Sequence, residues 1–352
     1  MAVEMLEREQ GGAQGNGHVA GDGLLVGHRR GQEDLGMALE IAPGVAYLRT
    51  FMVNLYFLGE RAVGDRGWVL LDCGFMGSTG MIVKAAAQRF GADARPAAIV
   101  LTHGHFDHVG ALETLAERWD CPVYAHTLEL PYITGRAAYP PFDPSAGGGG
   151  QTLMSPLFPR GPWNVGHRAR ALPEDGSVPF AEGWRWIATP GHSPGHVSFV
   201  RDADRTVIAG DAVITTKQES TFAVLMQRPV VRRPPAYATT DWQLARASVE
   251  AIAKLEPELL ATGHGVPMHG QAMRDQLETL AREFAAQIPD HGRYVWQAAT
   301  ADENGPLEVP PAVPTPEYKY IAIGAAALLA GYVLAKWARR DDEGEEYPEL
   351  HA

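Results

Sequence analysis

The chain has 352 residues, a length that fits two domains or one large domain with appendages. Its shares of hydrophobic and charged residues are close to ordinary globular usage, which excludes a wholly disordered, collagen-like or coiled-coil chain. The 42 acidic residues outnumber the 30 basic ones and give a net charge of −12, which argues against a nucleic-acid-binding protein because such proteins need a basic surface.

The N-terminal part of the chain differs in composition from the remainder. Residues 1–36 are rich in glycine and lack an apolar run long enough for a signal peptide, so we expect a flexible, disordered tail and a cytoplasmic protein. From residue 38, short runs of β-branched and aromatic residues alternate with glycine and charged turns, which predicts meander strands. Helices are then predicted at 78–90 and 111–119, and strands at 97–101 and 121–125.

Residues 127–173 show no regular periodicity and contain proline pairs, a glycine run and several aromatic residues. A loop this long inside a domain predicts a functional lid or substrate wall, with a surface excursion as the alternative. Strands resume at 184–189, 197–201, 206–209 and 259–262, and helices are predicted at 240–255 and 270–288. This order of strands and helix–strand units predicts one layered α/β domain over residues 37–296.

The C-terminal part is predicted to contain a hydrophobic helix. Residues 297–317 are rich in proline and predict a stiff linker. Residues 318–338 follow as the predicted hydrophobic helix, and their central uncharged part, 320–335, would reach about 24 Å, short of a hydrocarbon core of about 30 Å. Flanking lysines can cover the difference, so the alternatives are a membrane anchor and a helix docked on the domain or on a second copy of the chain in a homodimer. Residues 339–352 form an acidic tail.

The sequence THGHFDH, residues 102–108, predicts a metal site. Two cysteines are too few for a cysteine zinc module, whereas the chain has thirteen histidines. Three histidines and an aspartate within six residues follow an apolar strand directly, and side chains this close in a turn can converge on one point. Their nitrogen and oxygen donors suit Zn²⁺, iron or manganese. The alternative, a polar turn with incidental histidines, would leave polar groups unsatisfied beside a buried strand. The candidate ligands are His103, His105, Asp107 and His108.

Three further donors follow predicted strands in the same way. His192 lies in the turn PGHSPGH, Asp211 follows Gly210, and His264 lies in TGHG. Because open α/β sheets place their sites at strand ends, we expect these donors to join the first cluster.

These motifs resemble those of the metallo-β-lactamase superfamily, whose signature HxHxDH matches THGHFDH. The resemblance covers about residues 37–270 and implies a four-layer αββα sandwich with a two-metal site along one edge. Carried over by position, it implies two sets of ligands: His103, His105 and His192 for the first metal, and Asp107, His108 and His264 for the second. It implies that Asp211 bridges the two metals and that His196 supports the ligands.

Within the superfamily the chain most resembles glyoxalase II-like and lactonase-like members. The resemblance implies hydrolysis of an ester, thioester or lactone of a small molecule by a hydroxide that bridges two divalent ions, with Zn²⁺ fitting best. Asp107 would orient this hydroxide and pass a proton to the leaving group. Val266 and Ile214 stand where glyoxalase II and the quorum-quenching lactonases carry tyrosine, so the substrates of those two groups do not carry over.

Three alternatives stay open from the sequence. A mononuclear iron enzyme that oxidises persulfides would use His103, His192 and Asp211 and leave the second site empty. A phosphodiesterase of the same superfamily would use all seven ligands. A non-catalytic protein would have no need of an open metal position. Three arginines after Asp211 are candidates for binding a substrate carboxylate, with a solvated loop as the alternative, and they are Arg228, Arg232 and Arg233.

Overall fold

The computed structural model describes residues 36–314 and Gly324. The tail up to residue 35, the predicted hydrophobic helix 318–338 apart from Gly324, and the acidic tail 339–352 lie outside the described residues. Within the described part, no helix has both the length and the apolar character needed to cross a membrane.

The first of two large sheets has seven strands arranged in sequence order. They are β1 (Leu39–Ala42), β2 (Val45–Thr50), β3 (Val53–Leu58), β4 (Val69–Leu71), β5 (Ala98–Val100), β6 (Val123–Ala125) and β7 (Ala169–Ala171). Strands β1 to β4 pair antiparallel and strands β4 to β7 pair parallel. Parallel neighbours need a crossover, and the helices α1 (Thr79–Phe90) and α2 (Leu112–Trp119) supply the crossovers on either side of β5.

Residues 127–173 contain more structure than the predicted loop. They form α3 (Leu130–Ile133), α4 (Gly150–Met154), three short 3₁₀ turns and the edge strand β7. Tyr132 and Tyr139 are almost fully buried, so much of this segment packs into the domain and does not form a free lid. Its helices are too short to show a helical periodicity in the sequence, which explains why they were not predicted.

The second sheet has five strands in the order β12-β11-β10-β9-β8. They are β8 (Trp184–Ala188), β9 (Val197–Arg201), β10 (Thr206–Ile208), β11 (Leu259–Ala261) and β12 (Met268–His269). The short helix α5 (Thr221–Met226) and the longer α6 (Trp242–Ala253) lie between β10 and β11, and α7 (Gln271–Arg282) follows β12. Asp241 caps α6, because its carboxylate accepts the N–H groups of Gln243 and Leu244.

The two sheets pack face to face, and helices cover their outer faces. Side chains alternate along each strand: Leu55 of β3 packs with α1 and α2, whereas its neighbour Tyr56 lies between the sheets. In the second sheet Val207 packs with α6 and α7, and Ile208 faces the first sheet. This arrangement confirms the predicted four-layer αββα sandwich.

Part of the segment predicted as a linker, 297–317, is a β-hairpin. Strands β13 (Thr300–Asp302) and β14 (Gly305–Glu308) pair antiparallel, and the Asp302 carboxylate accepts the N–H of Asn304 in the turn. A Cβ atom on Gly305 would lie 2.6 Å from the Cβ of Ala137, so the hairpin packs closely on the 127–173 segment. The prediction of a linker is therefore wrong for residues 300–308, because the turn signal Asn-Gly outweighs the surrounding prolines.

Candidate metal centre

The seven predicted donors lie just beyond the carboxyl ends of four strands, and all seven side chains are buried. The turn after β5 carries His103, His105, Asp107 and His108. His192 follows β8, Asp211 follows β10, and His264 follows β11. Because β10 and β11 are parallel neighbours in register, Asp211 and His264 emerge side by side.

Hydrogen bonds between the two sheets bring the two sets of donors together. The N–H of Val197 donates to the carbonyl oxygen of Thr102 over 3.0 Å, and the N–H of Asn54 donates to that of Gly263 over 2.8 Å. The side-chain amide of Asn54 also donates to the carbonyl oxygen of Thr262 over 2.9 Å. The site therefore lies at one end of the sandwich, on the seam between the sheets.

Three imidazoles form the first donor group. His105 Nδ1 lies 3.0 Å from His103 Nε2 and 2.9 Å from His192 Nε2. Tetrahedral zinc with Zn–N bonds of 2.0–2.1 Å places its ligand atoms roughly 3.3 Å apart. The three nitrogens thus need to separate by only a few tenths of an ångström to hold a zinc ion.

The second donor group consists of Asp107, His108 and His264, and Asp211 lies between the two groups. Asp211 Oδ2 is 3.1 Å from His264 Nε2 and 3.4 Å from His192 Nε2, so one carboxylate oxygen faces a nitrogen of each group. Asp211 Oδ1 lies 3.5 Å from His108 Nε2, and Asp107 Oδ2 lies 3.4 Å from His264 Nε2. This geometry permits two cations with Asp211 between them.

Hydrogen bonds on the outer side of the imidazoles fix which nitrogen faces the centre. His264 Nδ1 lies 2.8 Å from the carbonyl oxygen of Met52, which can only accept, so Nδ1 carries the proton and Nε2 is free. His108 Nδ1 donates in the same way to Asp72 Oδ2 over 2.8 Å. Asp72 also accepts the N–H and the hydroxyl of Thr102, both over 2.8 Å.

Two buried atoms at the centre, His108 Nε2 and Asp211 Oδ1, face each other over 3.5 Å, and neither has another hydrogen-bond partner. A buried lone pair without a donor is costly. A divalent cation would satisfy both atoms, and the nitrogen and carboxylate donors are those that Zn²⁺ and iron accept. The residues present therefore fit a pair of divalent cations.

The surroundings of the centre shift the pKa values of the ligand histidines and of the bridging carboxylate. Burial, reinforced by the neighbouring imidazoles, lowers the pKa of His105 to about 3 and that of His103 well below its usual range. Burial raises the pKa of Asp211, but His264 and His108 lower it by more, so that it falls well below its usual range. Burial lowers the pKa of His108 and that of His264, but Asp211 raises both by more, so these two imidazoles would give up a proton when a cation binds. The neutral imidazoles of the first group and the ionised Asp211 are already in the protonation states that bind metal.

Both ring nitrogens of His196 are engaged by groups other than the donor atoms. Its Nε2 accepts the N–H of Asp211 over 2.9 Å, and its Nδ1 lies 2.9 Å from the hydroxyl of Thr189. Its imidazole thus fixes the backbone at Asp211.

The three arginines proposed for substrate binding do not meet at the centre. Arg233 is buried, and its guanidinium donates to the Glu219 carboxylate over 2.6 Å and to the carbonyl oxygen of Gln287 over 2.7 Å. Arg228 lies over the ring of Phe222, and Arg232 lines a shallow surface depression beside α7. Arg233 is therefore occupied by structural contacts and is not free to bind a substrate carboxylate.

An aromatic cluster adjoins the first donor group. Its members are Phe106, Phe142, Phe158 and Tyr237. The ring of Phe142 lies 5.3 Å from that of His105, and the ring of Phe158 lies 5.0 Å from that of Phe106. Two of these residues, Phe142 and Phe158, come from the 127–173 segment, so this part of the segment forms an apolar wall next to the imidazoles.

Several residues that support the site were missed from the sequence. Asp72 ends a buried strand in the same way as Asp211, and the strand-end argument applied to it would have found it. Met52 contributes a carbonyl oxygen, which any residue could supply. Glu129 and Tyr139 reach the site only through the packing of the 127–173 segment, and their sequence neighbourhood gives no signal of it.

Comparisons with known proteins agree with the fold. The sequence model of the family described as the metallo-beta-lactamase superfamily matches residues 48–264. The chain is 48% identical over 251 residues to the probable metallo-hydrolase YflN of Bacillus subtilis (strain 168), covering 71% of this chain and 95% of that protein. It is 32% identical over 207 residues to the probable metallo-hydrolase YybB of the same organism, covering 56% of this chain and 79% of the relative.

A solved structure shows the same fold. The crystal structure of a beta-lactamase domain protein from Burkholderia ambifaria aligns with a TM-score of 0.50 at 22% identity, covering 72% of this chain and 74% of that one. The family match spans more than half of the chain and includes all seven donors. The chain belongs to the metallo-β-lactamase superfamily.

Proposed function

We propose that the chain is a hydrolase with two divalent metal ions that cleaves an ester, thioester or lactone of a small molecule. One observation carries the proposal: two complete donor groups face each other across the carboxylate of Asp211. A purely structural metal site has all its coordination positions filled by protein. Here each ion would have three ligands of its own and would share Asp211, and because catalytic zinc can expand to five ligands, a position would remain for water or substrate.

The proposed ligands follow from the donor groups. The first ion is assigned to His103, His105 and His192, the second to Asp107, His108 and His264, and Asp211 bridges them. When bound, such cations lower the pKa of a coordinated water towards neutrality and polarise the substrate oxygen that gains charge. Zn²⁺ fits the nitrogen-rich first group, and iron or manganese would fit the second group equally well.

Asp107 is the candidate for proton transfer. Burial raises the pKa of its carboxyl, opposed by the neighbouring His108 and His264, and its Oδ2 lies 3.4 Å from His264 Nε2. A carboxylate that holds the second ion through one oxygen could use its other oxygen to orient the attacking water, accept its proton and pass that proton to the leaving group.

The aromatic wall favours an uncharged, apolar acyl group as substrate. Phe106, Phe142 and Phe158 present apolar rings beside the first donor group, and Arg233 is held by Glu219. An acyl chain gains free energy by leaving water against such a wall.

The test is metal analysis of protein purified without added metal, combined with a matched screen. The screen uses esters, thioesters, lactones and phosphodiesters that carry the same apolar group, and oxygen uptake is measured with a persulfide. We expect two divalent ions per chain and kcat/KM highest for a thioester, ester or lactone. Preference for the phosphodiester would assign the chain to the phosphodiesterases, and a single iron with oxygen uptake on a persulfide would assign it to the dioxygenases. Either result would contradict the proposal.

A further inference from the structure

A buried glutamate lies behind the first donor group and has no part in the proposed chemistry. Glu129 ends the 3₁₀ turn Thr127–Glu129 in the 127–173 segment, and its side chain is completely inaccessible to solvent. Four neutral groups donate hydrogen bonds to its carboxylate. A buried carboxylate with this many donors must hold them in a fixed arrangement, because losing any one is costly.

The two oxygens of Glu129 bind two different loops. Oε2 accepts the N–H of Gly104 over 3.0 Å and the hydroxyl of Tyr139. Oε1 accepts the hydroxyl of Ser193 and the N–H of Gly195, both over 2.8 Å. One carboxylate therefore joins the turn after β5 to the turn after β8.

The glycines of both turns make room for this contact. A Cβ atom on Gly195 would lie 2.8 Å from Glu129 Cγ, and one on Gly104 would lie 2.8 Å from the hydroxyl oxygen of Tyr139. Both distances are shorter than real Cβ contacts, so each turn needs glycine where it meets Glu129 or its partner. This accounts for the glycine between the first two histidines and for the second glycine of PGHSPGH, which metal binding alone does not explain.

We propose that Glu129 is a positioning residue that sets the distance between the two histidine turns and thereby the metal affinity of the first donor group. Gly104 lies between His103 and His105 in the chain, and Ser193 directly follows His192. Each ligand histidine of the first group is therefore a direct chain neighbour of a residue that donates a hydrogen bond to Glu129. This inference rests on the proposed function, since it assumes that the first group binds a metal ion.

The arrangement needs two oxygens that both accept. In Glu129→Gln the amide oxygen can serve one turn, and the NH₂ group must then face the other. The hydroxyls of Ser193 and Tyr139 can rotate to accept from it, but the N–H of Gly104 or Gly195 cannot. At least one buried N–H would face another donor, and the turns would move apart.

The test compares zinc affinity by competition with a chelator in wild-type protein, Glu129→Gln and a matched control. The control is Glu219→Gln, which alters another buried glutamate whose partners are Arg233 and the N–H of Ala236. Changes to groups that orient metal ligands typically lower metal affinity by about 10–100-fold. We expect a loss of about this size in one of the two zinc-binding steps of Glu129→Gln. We expect Glu219→Gln to lower the melting temperature and leave both zinc affinities unchanged.

Three outcomes would overturn the positioning role, and a fourth would contradict the proposed function. Equal zinc affinity in wild type and Glu129→Gln would overturn the positioning role, and so would an equal loss in Glu219→Gln, which would reveal general destabilisation. If Glu129→Gln does not fold, Gly195→Ala displaces Glu129 while keeping its charge, and unchanged affinity in that variant would overturn the inference. Wild-type protein that binds no zinc or other divalent ion would contradict the proposed function itself.

Discussion

The substitution Asp72→Asn tests how one buried carboxylate controls the second donor group. Asp72 accepts three hydrogen bonds of 2.8 Å, from His108 Nδ1 and from the N–H and hydroxyl of Thr102. An amide keeps one oxygen, which the N–H of Thr102 must take because a backbone N–H cannot accept. The NH₂ group then faces His108, which has to move its proton to Nε2 in order to accept. A protonated Nε2 cannot bind a metal ion.

The size of the effect follows from these contacts. A hydrogen bond to a charged group contributes about 1.5–3 kcal/mol. Since 1.4 kcal/mol corresponds to a factor of ten, the second donor group should bind its metal about 10–100-fold more weakly. The first donor group does not use His108 and is linked to Asp72 through the hydroxyl of Thr102, which lies 3.0 Å from His103 Nδ1, so it should lose less affinity than the second group.

The assay is the metal content of Asp72→Asn after dialysis against a graded chelator, with a thermal melt to monitor folding. The matched control is Asp143→Asn, because Asp143 is equally buried and accepts the N–H groups of Ser145 and Arg293 but contacts no candidate ligand. We expect one metal ion to be lost at a lower chelator concentration in Asp72→Asn alone. Unchanged metal content in that variant, or the same loss in the control, would refute the reasoning.

Three further predictions test other parts of the site. Asp107→Ala removes the proposed proton carrier and a ligand, so kcat should fall by at least about 10²-fold with little change in circular dichroism; full activity in metal-loaded protein would contradict the assignment. Arg233→Ala leaves the buried carboxylate of Glu219 unpaired and should lower the free energy of unfolding, measured in urea, by about 3–5 kcal/mol. A rise in KM without loss of stability would instead favour a role for Arg233 in substrate binding. Phe142→Ala removes part of the apolar wall and should reduce kcat/KM for an ester with a long acyl chain about tenfold or more, compared with its effect on an acetyl ester. An equal reduction for both esters would argue against an acyl site there.

The ligands could be predicted from the sequence because their signals are local. Three histidines and an aspartate within six residues lie close together in a turn, and each later donor follows a strand that can be recognised in the sequence. A layered α/β domain was accessible from the order of apolar strands and amphipathic helices, and the resemblance to the superfamily implied its four layers.

Other features depend on contacts between distant segments. Glu129 lies 64 positions from Ser193, and only the packing of the 127–173 segment brings the two together. Arg233 looked free in the sequence because its partner Glu219 lies in another irregular stretch. The hairpin at residues 300–308 was hidden by flanking prolines, although its turn carries the Asn-Gly signal.

The most direct test of the two-metal site is anomalous diffraction from crystals of the protein, recorded on both sides of the absorption edge of the bound metal. We expect two anomalous peaks, one within bonding distance of His103, His105 and His192, and the other within bonding distance of Asp107, His108 and His264. Asp211 should contact both peaks. A single peak with the second group empty, or His264 turned away from Asp211, would contradict the assignment of two metal ions.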